Sequence, residues 1–139
     1  IHADADSMYN TPPCYTIYVM GKVLEWIERN GGAEGMKKRN DEKANLLYDY
    51  LDNSDYYRAT AEKGSRSLMN VPFLTKETDA EKANVINKKF VKEASEAGLV
   101  NLAGHRLVGG MRASIYNAMS LEGVKALIEF MDKFAKENQ

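Results

Sequence analysis

His105, Arg106 and Arg112 lie in the run GHRLVGGMRASIYN from Gly104 to Asn117, two of them ahead of the Gly109-Gly110 pair and one behind it. Arginine presents a planar fork of donors that matches carboxylate or phosphate oxygens two at a time. The chemistry open to such a set is to hold an anion, and a compound with two separate anionic groups would suit it. Behind the glycines, Met111, Ala113 and Ile115 alternate with Arg112, Ser114 and Tyr116, the period-two pattern of a half-buried strand with an open polar face. Arg112 is therefore expected to project from a firm support. His105 and Arg106 are expected on a loop, where backbone freedom lets side chains converge on a ligand. A lone arginine on a strand is also the ordinary form of a solvated surface charge, and spacing by itself leaves both readings standing.

Other chemistries find little material. His2 and His105 are the only histidines and Cys14 the only cysteine, a set too small and scattered for a metal site. Cys14 falls in an expected first helical turn, where a lone small residue is ordinarily packing rather than a nucleophile. No GxGxxG or Walker sequence is present. Tyr15, Tyr18 and Trp26 have no basic groove beside them in sequence and read as packing residues, not as a base-stacking platform. Asn10 and Thr11 precede two prolines, and on residue type alone they read as a helix cap.

The elements that must position these residues follow from periodicity. Thr11 is expected to cap a helix entered at Pro12, with Ile17, Met20, Leu24 and Ile27 at helical spacing and Val19, Val23 and Trp26 widening the apolar surface. That breadth expects burial on two sides. Gly31-Gly32 end it, and an amphipathic helix from about Ala33 to Leu51 carries Met36, Ala44, Leu47, Tyr48 and Leu51. Strands are expected at Tyr56 to Thr60 and at Leu68 to Leu74, where Pro72 points to an edge or a bulge. Asp79 caps a helix running to Ala97 and stopped by Gly98; Leu99 to Leu102 is a further strand, and Ser120 caps the last helix. The order predicts an α/β fold, a small mostly antiparallel sheet covered by helices on one face. No repeat or internal domain boundary shows, so residues 1–139 read as a single domain.

Composition excludes several classes. A net charge of -1 from 19 basic and 20 acidic residues gives no bulk attraction to nucleic acid, and no basic run replaces it. No apolar span of membrane length is present. With 44% hydrophobic residues the chain can build a real core, and one cysteine leaves a reducing, cytoplasmic setting as the default. The start at Ile1 shows no signal-peptide pattern.

GHRLVGGMRASIYNAM closely resembles the C-terminal signature of phosphoserine aminotransferases, and SMYNTPP, from Ser7 to Pro13, resembles a second signature of that family. VLEWIERNGG and RSLMNVPF look like family segments too, so the resemblance covers essentially the whole chain. It implies the small C-terminal domain of a fold-type I pyridoxal 5'-phosphate enzyme, with residues 12–30 as the helix joining two domains. It further implies that His105 and Arg106 hold a substrate phosphate and Arg112 its α-carboxylate, while Asn10 and Thr11 reach the cofactor phosphate of the neighbouring subunit of a homodimer. The reaction so implied moves an amino group between glutamate and 3-phosphohydroxypyruvate, giving phosphoserine and 2-oxoglutarate, a step of serine biosynthesis. No residue of this chain is assigned a catalytic role, because the family's Schiff-base lysine lies upstream of Ser7, and the chain alone is expected to be inactive. Two other readings stand beside this one: an independent non-catalytic domain that binds small phosphorylated acids, and a related fold-type I aminotransferase. A free-standing module should have a polar first helix, whereas a piece of a larger enzyme should leave Val19, Val23 or Trp26 uncovered.

Overall fold

A proline disfavours helical geometry in the residue before it, so Pro13 keeps Pro12 out of the first helix and moves the helix start downstream. In the computed structural model, which describes residues 1–106 and 108–138, α1 spans Cys14–Arg29 with Pro13 as its N-cap and no side-chain cap. The expected cap at Thr11 is therefore not made. The first helical bond runs from Ile17 N–H to the Pro13 carbonyl at 3.1 Å. At the far end Asn30 donates its side-chain amide to the Trp26 carbonyl at 2.7 Å, and Gly31 and Gly32 turn the chain at φ 91° and 67°.

The described residues divide into two compact units, Ile1–Lys37 and Lys38–Gln139, with α2 (Gly32–Asn53) running through the division. Within the first unit α1 buries none of its residues: Tyr15, Ile17, Tyr18, Met20, Val19, Val23 and Leu24 are exposed and Trp26 half-buried. Cys14, expected to pack, is exposed as well.

The second unit is a four-stranded antiparallel sheet of order β1-β2-β4-β3, formed by β1 (Tyr57–Ala59), β2 (Asn70–Thr75), β3 (Ala103–His105) and β4 (Gly109–Ser114). Alternation sends Tyr57, Val71, Phe73, Met111 and Ala113 into one buried face, continued by Ile115. Against that face lie Ala44, Leu47, Tyr48 and Leu51 of α2, Phe90 and Ala94 of α3 (Ala80–Glu96), and Val124, Leu127, Met131 and Phe134 of α4 (Leu121–Glu137). Helices thus cover one side of the sheet, as the sequence predicts. Both expected caps are made: Asp79 accepts from the amides of Glu81 and Lys82 at 2.9 and 3.0 Å, and Ser120 from that of Gly123 at 3.2 Å.

Two expectations shift. Pro72 sits in an interior strand, yet its missing N–H costs nothing there. β1 ends at Ala59, and the Pro72 carbonyl, on the same side as its nitrogen, takes the Thr60 amide at 3.2 Å just past that end. The strand expected at Leu99 to Leu102 instead forms at Ala103–His105, because Gly98 and Asn101 adopt positive φ of 86° and 63° and interrupt the extended backbone.

Candidate functional site

The hairpin of β3 and β4 carries His105, Arg106 and Arg112. Its close packing explains the glycines on either side: a side chain at Gly104 would strike the Gly109 carbonyl, and one at Gly110 would strike the Leu74 side chain. Gly109 and Gly110 both take positive φ, 74° and 69°, which side chains rarely tolerate. His105, expected on a loop, is the last residue of β3, opposite Gly109, and it is exposed. Its carbonyl accepts the Val108 amide at 2.9 Å, closing the turn in which Arg106 stands exposed. Gly109 and Gly110 are the first two residues of β4, so His105, opposite Gly109, stands three positions back along that strand from Arg112.

Arg112 is the firmly supported member, as its alternation predicts. Its amide donates to the Leu102 carbonyl at 2.9 Å on the β3 side, and it pairs in register with Pro72 of β2 on the other. The side chain is half-buried and rises from the face of the sheet opposite the helices of the second unit, the face it shares with Pro72, Gly110 and Ser114. Its Nε is buried and has no hydrogen-bond partner among the described residues. A buried donor left unmet costs about 1–3 kcal/mol and more on a charged group, which suits a side chain built to meet an acceptor brought by a ligand. Beside it, Ser114 donates to Asn70 Oδ1 at 3.2 Å, and Asn70 Nδ2 donates to the Tyr116 hydroxyl at 2.8 Å. This polar row continues the open face from Arg112 toward the end of β4.

Asn10 and Thr11 belong to the first unit and are exposed, three and two residues ahead of the N-cap of α1. The first turn of α1 contains no acidic residue, and no side chain caps its amides. Helix starts of this kind favour an anion.

Two buried polar residues of α2 are not among the motif residues. Lys43 is fully buried and Asn40 nearly so. Burial pushes the Lys43 ammonium below its ordinary pKa of 10.5, and the charge of Arg39 adds in the same direction. The signal was present: Met36, Asn40, Lys43, Leu47 and Leu51 keep helical spacing, so both polar residues fall on the inward stripe. No cluster of metal-ligating side chains exists among the described residues, and no helix among them is long and apolar enough to cross a membrane.

The second unit is thus an α/β fold, a four-stranded antiparallel sheet with helices on one side and a cationic hairpin formed by β3 and β4. The aminotransferase class-V family matches residues 1–127, and the chain belongs to that family. Among curated relatives, phosphoserine aminotransferase of Laribacter hongkongensis is 55% identical over 139 residues, 99% of this chain and 37% of that protein. The solved phosphoserine aminotransferase from Bacillus circulans subsp. alkalophilus superposes with a TM-score of 0.90 at 42% identity, covering 99% of this chain and 37% of that one. A phosphoserine aminotransferase from Trichomonas vaginalis, solved with pyridoxal phosphate bound, gives 0.83 at 36% identity over 94% of this chain and 36% of its own. The chain thus spans little more than a third of the length of the relatives it matches.

Proposed function

We propose that these residues form the C-terminal part of a phosphoserine aminotransferase acting in the cytoplasm as a homodimer, in serine biosynthesis. The observation that carries the proposal is Arg112, a half-buried guanidinium with an unmet donor, fixed on the open face of a sheet in a hairpin that also carries His105 and Arg106. Arg112 takes the α-carboxylate shared by phosphoserine, 3-phosphohydroxypyruvate, glutamate and 2-oxoglutarate, a bidentate geometry that fixes the reacting carbon. His105 and Arg106, beyond the glycine pair, take the distal phosphate.

Pyridoxal 5'-phosphate, when bound, supplies the electron sink through which an amino group leaves one acid and joins another. Its phosphate suits the start of α1, where the amides are uncapped by side chains, the first turn holds no carboxylate, and Asn10 and Thr11 can donate. Residues 12–30, with α1 inside them, serve as the link between this domain and a larger one, and the exposed apolar residues of α1 support that role.

The test is steady-state kinetics of the full-length protein with phosphoserine and 2-oxoglutarate. Amino transfer is expected. Arg112→Ala should raise KM for both phosphoserine and glutamate by about 10–100-fold, the value of hydrogen bonds to a charged group. His105→Ala should raise KM for phosphoserine alone. Equal use of unphosphorylated amino acids would point instead to a related aminotransferase, and a complete lack of amino transfer by the full-length protein would overturn the reading.

A further inference from the structure

We infer that Lys43 is a positioning residue for the carboxylate clamp, acting through the turn that follows β4. The inference rests on the aminotransferase reading above and assigns a role to a residue outside the anion-holding hairpin.

A fully buried ammonium is costly, because several kcal/mol of hydration must be replaced. A methionine or leucine at position 43 would continue the apolar stripe of α2 without that cost. What the charge provides is visible in its partners. All three donors of Lys43 Nζ are used, on the carbonyls of Ile115, Tyr116 and Met119 at 3.1, 2.7 and 2.9 Å. These carbonyls belong to the irregular stretch between Ser114, where β4 ends, and Ser120, where α4 is capped. One helical turn earlier, Asn40 donates to Asn117 Oδ1 at 2.7 Å. The exit of β4 is therefore pinned to α2 from beneath.

That exit connects directly to the open face. Tyr116, whose carbonyl the ammonium holds, accepts the Asn70 side-chain amide at its hydroxyl, and Asn70 in turn accepts from Ser114. Asn70 and Ser114 form the register pair that neighbours Pro72 and Arg112 along β2 and β4, on the same face. From Lys43 to Tyr116, and from Tyr116 to the Asn70-Ser114 pair, each link is a hydrogen bond, and the next residue on that face is the guanidinium. His105 and Arg106 lie at the opposite end of β4, beyond Gly109 and Gly110, and are off this route. The clamp for the carboxylate should thus depend on Lys43, and the holder of the phosphate should not.

The experiment uses the full-length protein with Lys43→Met, which keeps length and removes charge, and separately Tyr116→Phe, which removes one exposed hydroxyl. KM and kcat for phosphoserine and for glutamate are read together with the inhibition constant of inorganic phosphate and the thermal midpoint. Tyr116→Phe is expected to raise both KM values about threefold to tenfold with kcat within about twofold, and Lys43→Met by about tenfold or more, with phosphate inhibition unchanged in each. Unchanged KM values in a folded Lys43→Met protein would overturn the inference. If that variant does not fold, unchanged values in Tyr116→Phe would do the same. A parallel rise in the phosphate constant would also overturn it, since that pattern means a general loosening of the hairpin. A wild-type protein without amino transfer would defeat the parent reading, whereas an active wild type with unaffected variants defeats only the role of Lys43.

Discussion

Helices α1 and α4 are nearly the same length, 16 and 17 residues, and both are rich in apolar side chains, yet α4 buries Val124, Leu127, Met131, Phe134 and Ala135 while α1 buries none. The difference lies in how the apolar residues are arranged. In α4 they form one stripe, with Lys125, Glu129, Asp132 and Lys133 on the other side, so a single sheet face satisfies the helix. In α1 they spread over a wider arc, leaving Lys22, Glu25 and Arg29 on the remaining strip, and one flat surface would leave part of them bare. A helix patterned this way expects contact from more than one direction, and its bare residues in a chain that spans a third of its relatives' length are what such patterning leaves.

The contrast can be broken most sharply by cavity mutations. Phe134, packed edge-to-face on Phe90 at 5.1 Å between ring centres, should cost about 3–5 kcal/mol when changed to alanine. Leu24→Ala in α1 should shift the stability of residues 1–139 by less than about 0.5 kcal/mol, and that of the full-length protein by about 2 kcal/mol or more. Chemical denaturation of both forms checks this; a large cost for Leu24→Ala in residues 1–139 would erase the distinction. Caps give the next largest effect. Ser120→Ala should destabilise by about 1 kcal/mol, because α4 loses the acceptor for the Gly123 amide, while Thr11→Ala, ahead of an α1 that has no side-chain cap, should leave the melting of the cofactor-free protein unchanged.

Ion pairs supply the smallest and most pH-dependent difference. Arg66 grips Asp52 through two bonds at 2.9 and 2.5 Å, whereas Arg29 and Glu25 of α1 stand 3.9 Å apart and well exposed. The Arg66 guanidinium holds the Asp52 carboxyl below its ordinary pKa of 3.8. The stability Asp52 adds is therefore present above that value and is lost as pH falls through the lower folded-state value. Thermal melts of Asp52→Asn should show a deficit at neutral pH that closes in strong acid, and Glu25→Gln should show none at either.

Where one residue stripe or one cap decides an element, the sequence was sufficient. The inward faces of α2 and α4, the caps Asp79 and Ser120, and the alternation of β4 around Arg112 are all read directly from spacing. It was insufficient where backbone geometry intervened. The second proline delayed α1, and Asn101 at positive φ displaced β3 until it included His105. Lys43 was missed for another reason: a lysine on a helix ordinarily reads as a solvated face even where, as here, it falls on the inward stripe, and the carbonyls gathered around its Nζ show why it can be buried there.

The brevity of β1 leaves the part of β2 beyond Ala59 without a paired strand on that flank. Thr60 still covers the Pro72 carbonyl there, and a proline has no hydrogen to offer, so a strand approaching from another polypeptide finds neither bond at that position.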